Sequence, residues 1–351
     1  MATAAISGEA ERAQEKGYPV GGIQFDWRFV VLAAWVVGGL YLDGWAHNHG
    51  KVDGSFFTPW HAVLYSGFTV SLGFLAYQQW RNVNKGFAWR RALPQGYFLS
   101  LVGAVIFGIG GAGDLVWHSL FGIEGSLADA LMSPSHLSLA LGMILIATGP
   151  LRAVWRRAAD SGTWRELGPA LLTATLTLSV LTFFTAYANL LFNPGVIGHR
   201  QFEPEAIGAS SILIQTALTM GMALLLLKRW RLPFGALTLL IGASNLLGLI
   251  VSDHFVLLPG AVITGVVADV LAWRLKPSAD RPARFYLFAF AVPLVYYALL
   301  FAVIEMTAVV RWSVHLWTGS TVIAGVVGLL VAFLLVSPFE VDNPQPSISP
   351  E

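Results

Sequence analysis

Ten runs of about twenty apolar residues, each bounded by charge or by proline and glycine, partition this chain. They lie at about 28–47, 59–80, 96–119, 134–155, 167–192, 205–227, 233–252, 255–274, 285–309 and 314–336. A bilayer core about 30 Å thick takes about 20 helical residues at 1.5 Å rise each. The pattern therefore predicts an all-α, polytopic membrane bundle of about ten transmembrane helices. Composition agrees: 12% of the 351 residues are charged, against about 25% in soluble proteins. So few charges cannot cover a water-facing surface.

The basic residues predict sidedness, because short loops rich in Lys and Arg stay cytoplasmic. Arg12, Lys16 and Arg28 flank the first run; Arg81, Lys85, Arg90 and Arg91 follow the second; Arg152, Arg156, Arg157 and Arg165 follow the fourth. Lys228, Arg229 and Arg231 follow the sixth, and Arg274, Lys276, Arg281 and Arg284 the eighth. The opposite loops hold only Lys51, Arg200 and Arg311. Both termini are expected inside, in a multi-pass protein of the cytoplasmic (inner) membrane. The expected organisation is a cytoplasmic polar tail (1–27), a four-helix duplicated core (28–155), a six-helix scaffold (156–337) and a disordered tail (338–351). The last of these has several prolines and little apolar content.

No cysteine is present, which excludes disulfides, thiolate metal sites and cysteine nucleophiles. A net charge of +1 offers no field for nucleic acid. Gly108, Gly110, Gly111 and Gly113 sit inside an apolar run, where they fit close helix approach rather than a phosphate loop. Trp45, Trp60, Trp80, Trp155, Trp230, Trp273 and Trp312 fall at run ends, as an interfacial belt would. Any chemistry falls to the histidines and carboxylates.

All eight histidines lie in or beside the loops assigned to the outer side. Four belong to an internal repeat. The first copy is Asp43-Gly-Trp-Ala-His47, a loop, then Phe57-Thr58-Pro59-Trp60-His61. The second is Asp114-Leu-Val-Trp-His118, a loop, then Met132-Ser133-Pro134-Ser135-His136. Asp and His four apart share one helical face, and a proline suits the first turn of the returning helix. Each copy thus brings a carboxylate and two imidazoles to one depth. Such groups in a span are costly unless paired or ligating, and two imidazoles with a carboxylate suit copper, iron or zinc. His49 and His199 read as loop residues. Asp253, His254, Glu305 and His315 are outer-side groups able to complete a shell or relay protons, and Asp269 on the inner half reads as a structural or proton-path carboxylate.

At these residues the chain resembles the C subunit of particulate methane and ammonia monooxygenases, the copper membrane monooxygenases. Asp43, His47 and Thr58-Pro59-Trp60-His61 match that family's first set. Asp114, His118, Glu124 and Pro134-Ser135-His136 match its second, with Asp114 in place of an asparagine and a longer step between the two histidines. The match spans roughly 40 residues. The resemblance implies copper and dioxygen chemistry near the outer face, and leaves methane or ammonia as substrate undetermined.

The leading expectation is a membrane metal-dependent oxidoreductase, monooxygenase-like, oxidising a small or apolar substrate alone or within a complex. Asp43, His47 and His61, with Asp114, His118 and His136, are the expected metal ligands; Glu124 and Asp53 are the candidates for proton transfer beside them. Copper is the expected cofactor, with zinc or iron as alternatives. The expected partners are the lipid bilayer, an electron donor and further membrane or periplasmic subunits or a second copy of the chain. The competing classes are a zinc hydrolase, in which Asp43 or Asp114 is a general base, and a haem or copper electron-transfer module. An inverted-repeat transporter is disfavoured, because the duplicated hairpins share one orientation.

Overall fold

A computed structural model describes residues 17–52, 57–122, 126–157, 162–193, 202–307 and 310–336. The expected proton-transfer residues Asp53 and Glu124, His199, most of the N-terminal tail and the C-terminal tail lie outside the described residues. Regular structure among the described residues is helical throughout, with no strand. The helices are α1 (Gly22–Asn48), α2 (Pro59–Val83), α3 (Phe98–Phe121), the short α4 (Leu127–Met132), α5 (Pro134–Arg156) and α6 (Trp164–Phe184). Then come α7 (Phe202–Arg229), α8 (Ala236–Ser252), α9 (Leu258–Leu275), α10 (Pro282–Thr307) and α11 (Val314–Leu335).

Eight of these are long and apolar enough to cross a membrane: α1, α3, α5, α6, α7, α9, α10 and α11. Helix α2 has the length but carries His61, Gln78, Gln79 and Asn82, and α8 is shorter. Large apolar side chains face outward along these helices, among them Ile109, Leu120, Leu330 and Leu334. In water such a surface would be a penalty; against lipid it is not.

The two hairpins of the repeat, α1–α2 and α3–α5, are built alike down to their contacts. Gly39, one turn before Asp43, faces Leu64, where an added Cβ would stand 2.6 Å from the Leu64 Cα. Gly110, one turn before Asp114, faces Leu139, its Cβ position 3.1 Å from the Leu139 nitrogen. One further turn inward, Gly67 meets the Val36 nitrogen at 3.1 Å and Gly142 meets the Phe107 nitrogen at 2.7 Å. Every one of these residues stands at the same offset from its Asp or His in both copies. The glycines let the backbones touch, which is how helices gain van der Waals contact where lipid supplies no hydrophobic drive.

Around these hairpins a core of Phe29, Tyr97, Phe107, Met143 and Ile146 also takes in Val180 and Phe184 of α6. A second core joins α6, α7, α9, α10 and α11 through Leu171, Leu224, Phe285 and Phe288. At the N-terminal end of α1 Asp26 is buried, bonded by the Tyr97 hydroxyl at 2.6 Å and paired with Arg157.

Two expectations need correction. The run at 167–192 is not one helix: α6 ends at Phe184, and residues 186–193 form turns, where the Asn189 side chain accepts from the Leu191 N–H at 2.9 Å. Trp230 and Trp312 are buried, not belt residues; Trp230 packs edge-on against Trp155 at 5.0 Å. Helix α6 packs on α1 and α5. Apolar composition marks a segment as out of water, but not whether protein or lipid covers it.

Candidate metal centre

Local rules place each functional side chain. Asp43 and His47 lie one turn apart at the end of α1, and Asp114 and His118 do the same on α3. Thr58 caps α2, its side chain accepting from the His61 N–H at 3.1 Å with Pro59 next in line. Ser133 caps α5, accepting from the His136 N–H at 3.3 Å with Pro134 following. A hydroxyl N-cap bonds the third helical residue, so each cap orients the first turn that presents its histidine.

The tertiary contacts then close two triads. The Asp43 Oδ2 lies 3.4 Å from the His61 Nε2 and 3.8 Å from the His47 Nε2, and the two rings are 6.0 Å apart. In the second copy the Asp114 Oδ2 lies 3.5 Å from the His118 Nε2 and its Oδ1 3.4 Å from the His136 Nδ1, with the rings 6.1 Å apart. All six expected ligands are thereby brought together in two sets of three, each set offering atoms within 4.8 Å of one another. An ion about 2.0–2.1 Å from tetrahedral ligands separates them by about 3.3 Å. The Asp–imidazole distances of 3.4–3.8 Å lie close to that spacing, and the His136 Nδ1 is also 2.7 Å from the Ser133 Oγ.

His49 shows the contrast. Its Nε2 bonds the Asp253 Oδ2 at 2.6 Å while its Nδ1–H donates to the Trp45 carbonyl at 2.7 Å. The bond to Asp253 raises the His49 pKa above its ordinary value. Asp253 is therefore engaged by α1 and does not complete either triad. His254, Glu305 and His315 are exposed and stand away from the triads. Asp269 is structural: it accepts from the Leu237 and Thr238 N–H groups, at 3.0 and 2.9 Å, at the start of α8.

The two triads differ in their supports. Ser135 donates to the Asp114 Oδ1 at 2.8 Å, and the His118 Nδ1–H donates to the Gly122 carbonyl at 3.2 Å. Trp60 occupies the place of Ser135 in the first copy, and the Asp43 Oδ1 is buried with no hydrogen-bond partner. A buried carboxylate oxygen left bare is costly; a cation beside it removes that cost.

Both triads face one chamber of about 420 Å³. Its remaining wall is largely apolar: Leu64, Phe107, Leu139, Met143, Phe183 and Phe184. The longer step between His118 and His136 has a structural outcome. The extra residues lie in the connection that folds α4, whose Leu127, Ala130 and Leu131 line the chamber. Tyr65 also lines it, its ring edge-on to His61 at 6.2 Å. Tyr65 recurs nowhere in the repeat, so no spacing singled it out. The chain matches no protein-family model, no curated protein and no solved structure.

Proposed function

We propose that the chain is an integral membrane metalloprotein that holds two ions, one in each triad, and oxidises a small or apolar molecule with dioxygen at copper. The observation that carries this reading is the triad spacing together with the bare Asp43 Oδ1. Asp43, His47 and His61 would hold one ion, and Asp114, His118 and His136 the other. Copper held by such a set would supply one-electron redox chemistry toward dioxygen. The chain's own residues do the rest. The N-caps and the His118–Gly122 bond fix imidazole orientation. The apolar wall excludes water and suits a substrate dissolved in the bilayer.

The zinc hydrolase reading asks one carboxylate to act as a general base instead of a ligand. Asp43 faces both imidazoles of its triad through a single oxygen, which favours the ligand role. The resemblance to copper membrane monooxygenases adds weight to copper; the substrate, an electron donor and further subunits belong to the same proposal.

The deciding experiment is elemental analysis with EPR on the detergent-purified chain, beside the double variant His47→Ala/His118→Ala. Copper near two per chain, falling in the variant, is the expected result. Metal content equal in both proteins overturns the metalloprotein reading. Zinc alone, with no copper signal, turns it to the hydrolase.

A further inference from the structure

A second, smaller cavity lies in the other half of the bundle, among α6, α7, α8, α9 and α10. Its volume is about 50 Å³, room for roughly three or four atoms of water size. Three observations mark it as a built site.

The first is an unpaired acceptor. Gln215, 9% exposed near the middle of α7, donates its amide to the Thr185 Oγ1 at 2.9 Å and the Ala188 carbonyl at 3.0 Å. Its Oε1 is buried and bonded to nothing. Reversing the amide would strand the NH₂ instead, so one end is left unpaired in either orientation.

The second is backbone irregularity at this depth. Helix α8 contains a π turn over Leu239–Ala243, directly before Ser244 and Asn245 of the cavity wall. Helix α10 carries Pro293 inside its span, which also lines the cavity and cannot donate an N–H to the residue four before it. Within a bilayer such breaks are tolerated where they face protein or a cavity, and π turns gather at functional sites.

The third is the lining chemistry. The Ser211, Ser244, Thr264 and Tyr296 hydroxyls and the Asn245 amide donate to protein acceptors, so with the Gln215 Oε1 they present acceptor oxygens to a guest that donates, and no Asp, Glu, Lys, Arg or His among the described residues lines the space. Such a wall favours an uncharged hydrogen-bonding guest over an ion.

Phe192 lines both this cavity and the metal chamber. It sits in the turn that Asn189 pins, edge-on to Phe183 at 6.3 Å, with its ring against Gly248. We infer that the cavity is a binding site for a small uncharged hydrogen-bonding molecule of about four heavy atoms or fewer, reached from the metal chamber past the Phe192 ring. This inference stands apart from the metal reading, because neither the site nor its test involves an ion.

The absence of cysteine from the chain provides the test. Ser244→Cys and Ser211→Cys, made separately, each place one thiol on the cavity wall. The probe is acrylonitrile, which is neutral and has four heavy atoms. The thiolate adds to its terminal vinyl carbon and the neighbouring carbon takes a proton from water, forming a cyanoethyl thioether; a thiol in a dry apolar site stays protonated and inert. Both variants are expected to label in the folded protein. Formamide, with three heavy atoms, is expected to slow labelling at least threefold, leaving an exposed Asn84→Cys control unchanged. Phe192→Ala, or the milder Phe192→Leu should the first fail to fold, is expected to speed labelling about tenfold. Thiols that label only after unfolding overturn the inference, as does indifference to formamide or to the residue at position 192.

Discussion

Gly142 of α5 lies against Phe107 of α3 so closely that a Cβ on the glycine would stand 2.7 Å from the Phe107 nitrogen. This crossing sets the distance between the helices that carry His136 and Asp114. Gly142→Ala must push α5 outward, at a cost of about 1–3 kcal/mol for an overpacked contact. The expected outcome is loss of metal from the second triad with the first retained, so that bound metal falls from about two ions toward one. Elemental analysis of the variant, with its thermal midpoint measured alongside, checks this.

Removing ligands should separate the triads in the same way. His61→Ala is expected to leave one ion, held by Asp114, His118 and His136. The combination His61→Ala/His136→Ala is expected to hold none, while its helical circular dichroism stays that of the parent, because each histidine lies at a helix end and outside the tight crossings. Retention of two ions by either variant contradicts the assignment.

Ser135 supports one triad and has no counterpart in the other. Ser135→Ala removes the hydroxyl that bonds the Asp114 Oδ1. Losses of this kind weaken a metal site about 10–100-fold. Competition with a chelator should then resolve two affinities, with only the weaker site shifted relative to the parent.

At the N-terminal end of α1, Asp26 joins that helix to Tyr97 and to Arg157. Breaking a buried ion pair costs about 3–5 kcal/mol, and the half-exposed Arg157 puts this pair near the low end. Asp26→Asn is expected to lower the thermal midpoint while leaving metal stoichiometry unchanged, because the triads lie at the other end of the hairpins.

His49→Ala tests the link between the end of α1 and the corner after α8. Without the bond to Asp253, the backbone at 251–254 should exchange its amide hydrogens several-fold faster, as read by mass spectrometry. Asp253 is non-glycine with φ of +58°, a conformation that needs surrounding contacts to hold it. The change should stay local to this corner.

Much of the candidate site was legible because its causes are local. Four-residue spacing puts Asp43 with His47 and Asp114 with His118, and a hydroxyl-proline cap orients His61 and His136; none of that depends on distant chain. The duplication made the pattern stand out from scattered interfacial histidines. The pairing of His49 with Asp253 was not legible, because it joins residues 204 apart with no motif around either. The same holds for the polar cavity, where Gln215, Asn245 and Tyr296 look like isolated polar residues on separate helices.

The sequence by itself determined that the chain is apolar helix, where the runs lie, and which six side chains form two matching sets, since hydropathy and helical periodicity act over a few turns. Only the tertiary structure decided that both sets open on one chamber, that residues between His118 and His136 wall it as α4, and that Phe192 lines both it and a second cavity. Those outcomes depend on which helix faces meet, and the meeting is set by backbone contact at Gly39, Gly67, Gly110 and Gly142, whose partners lie on other helices.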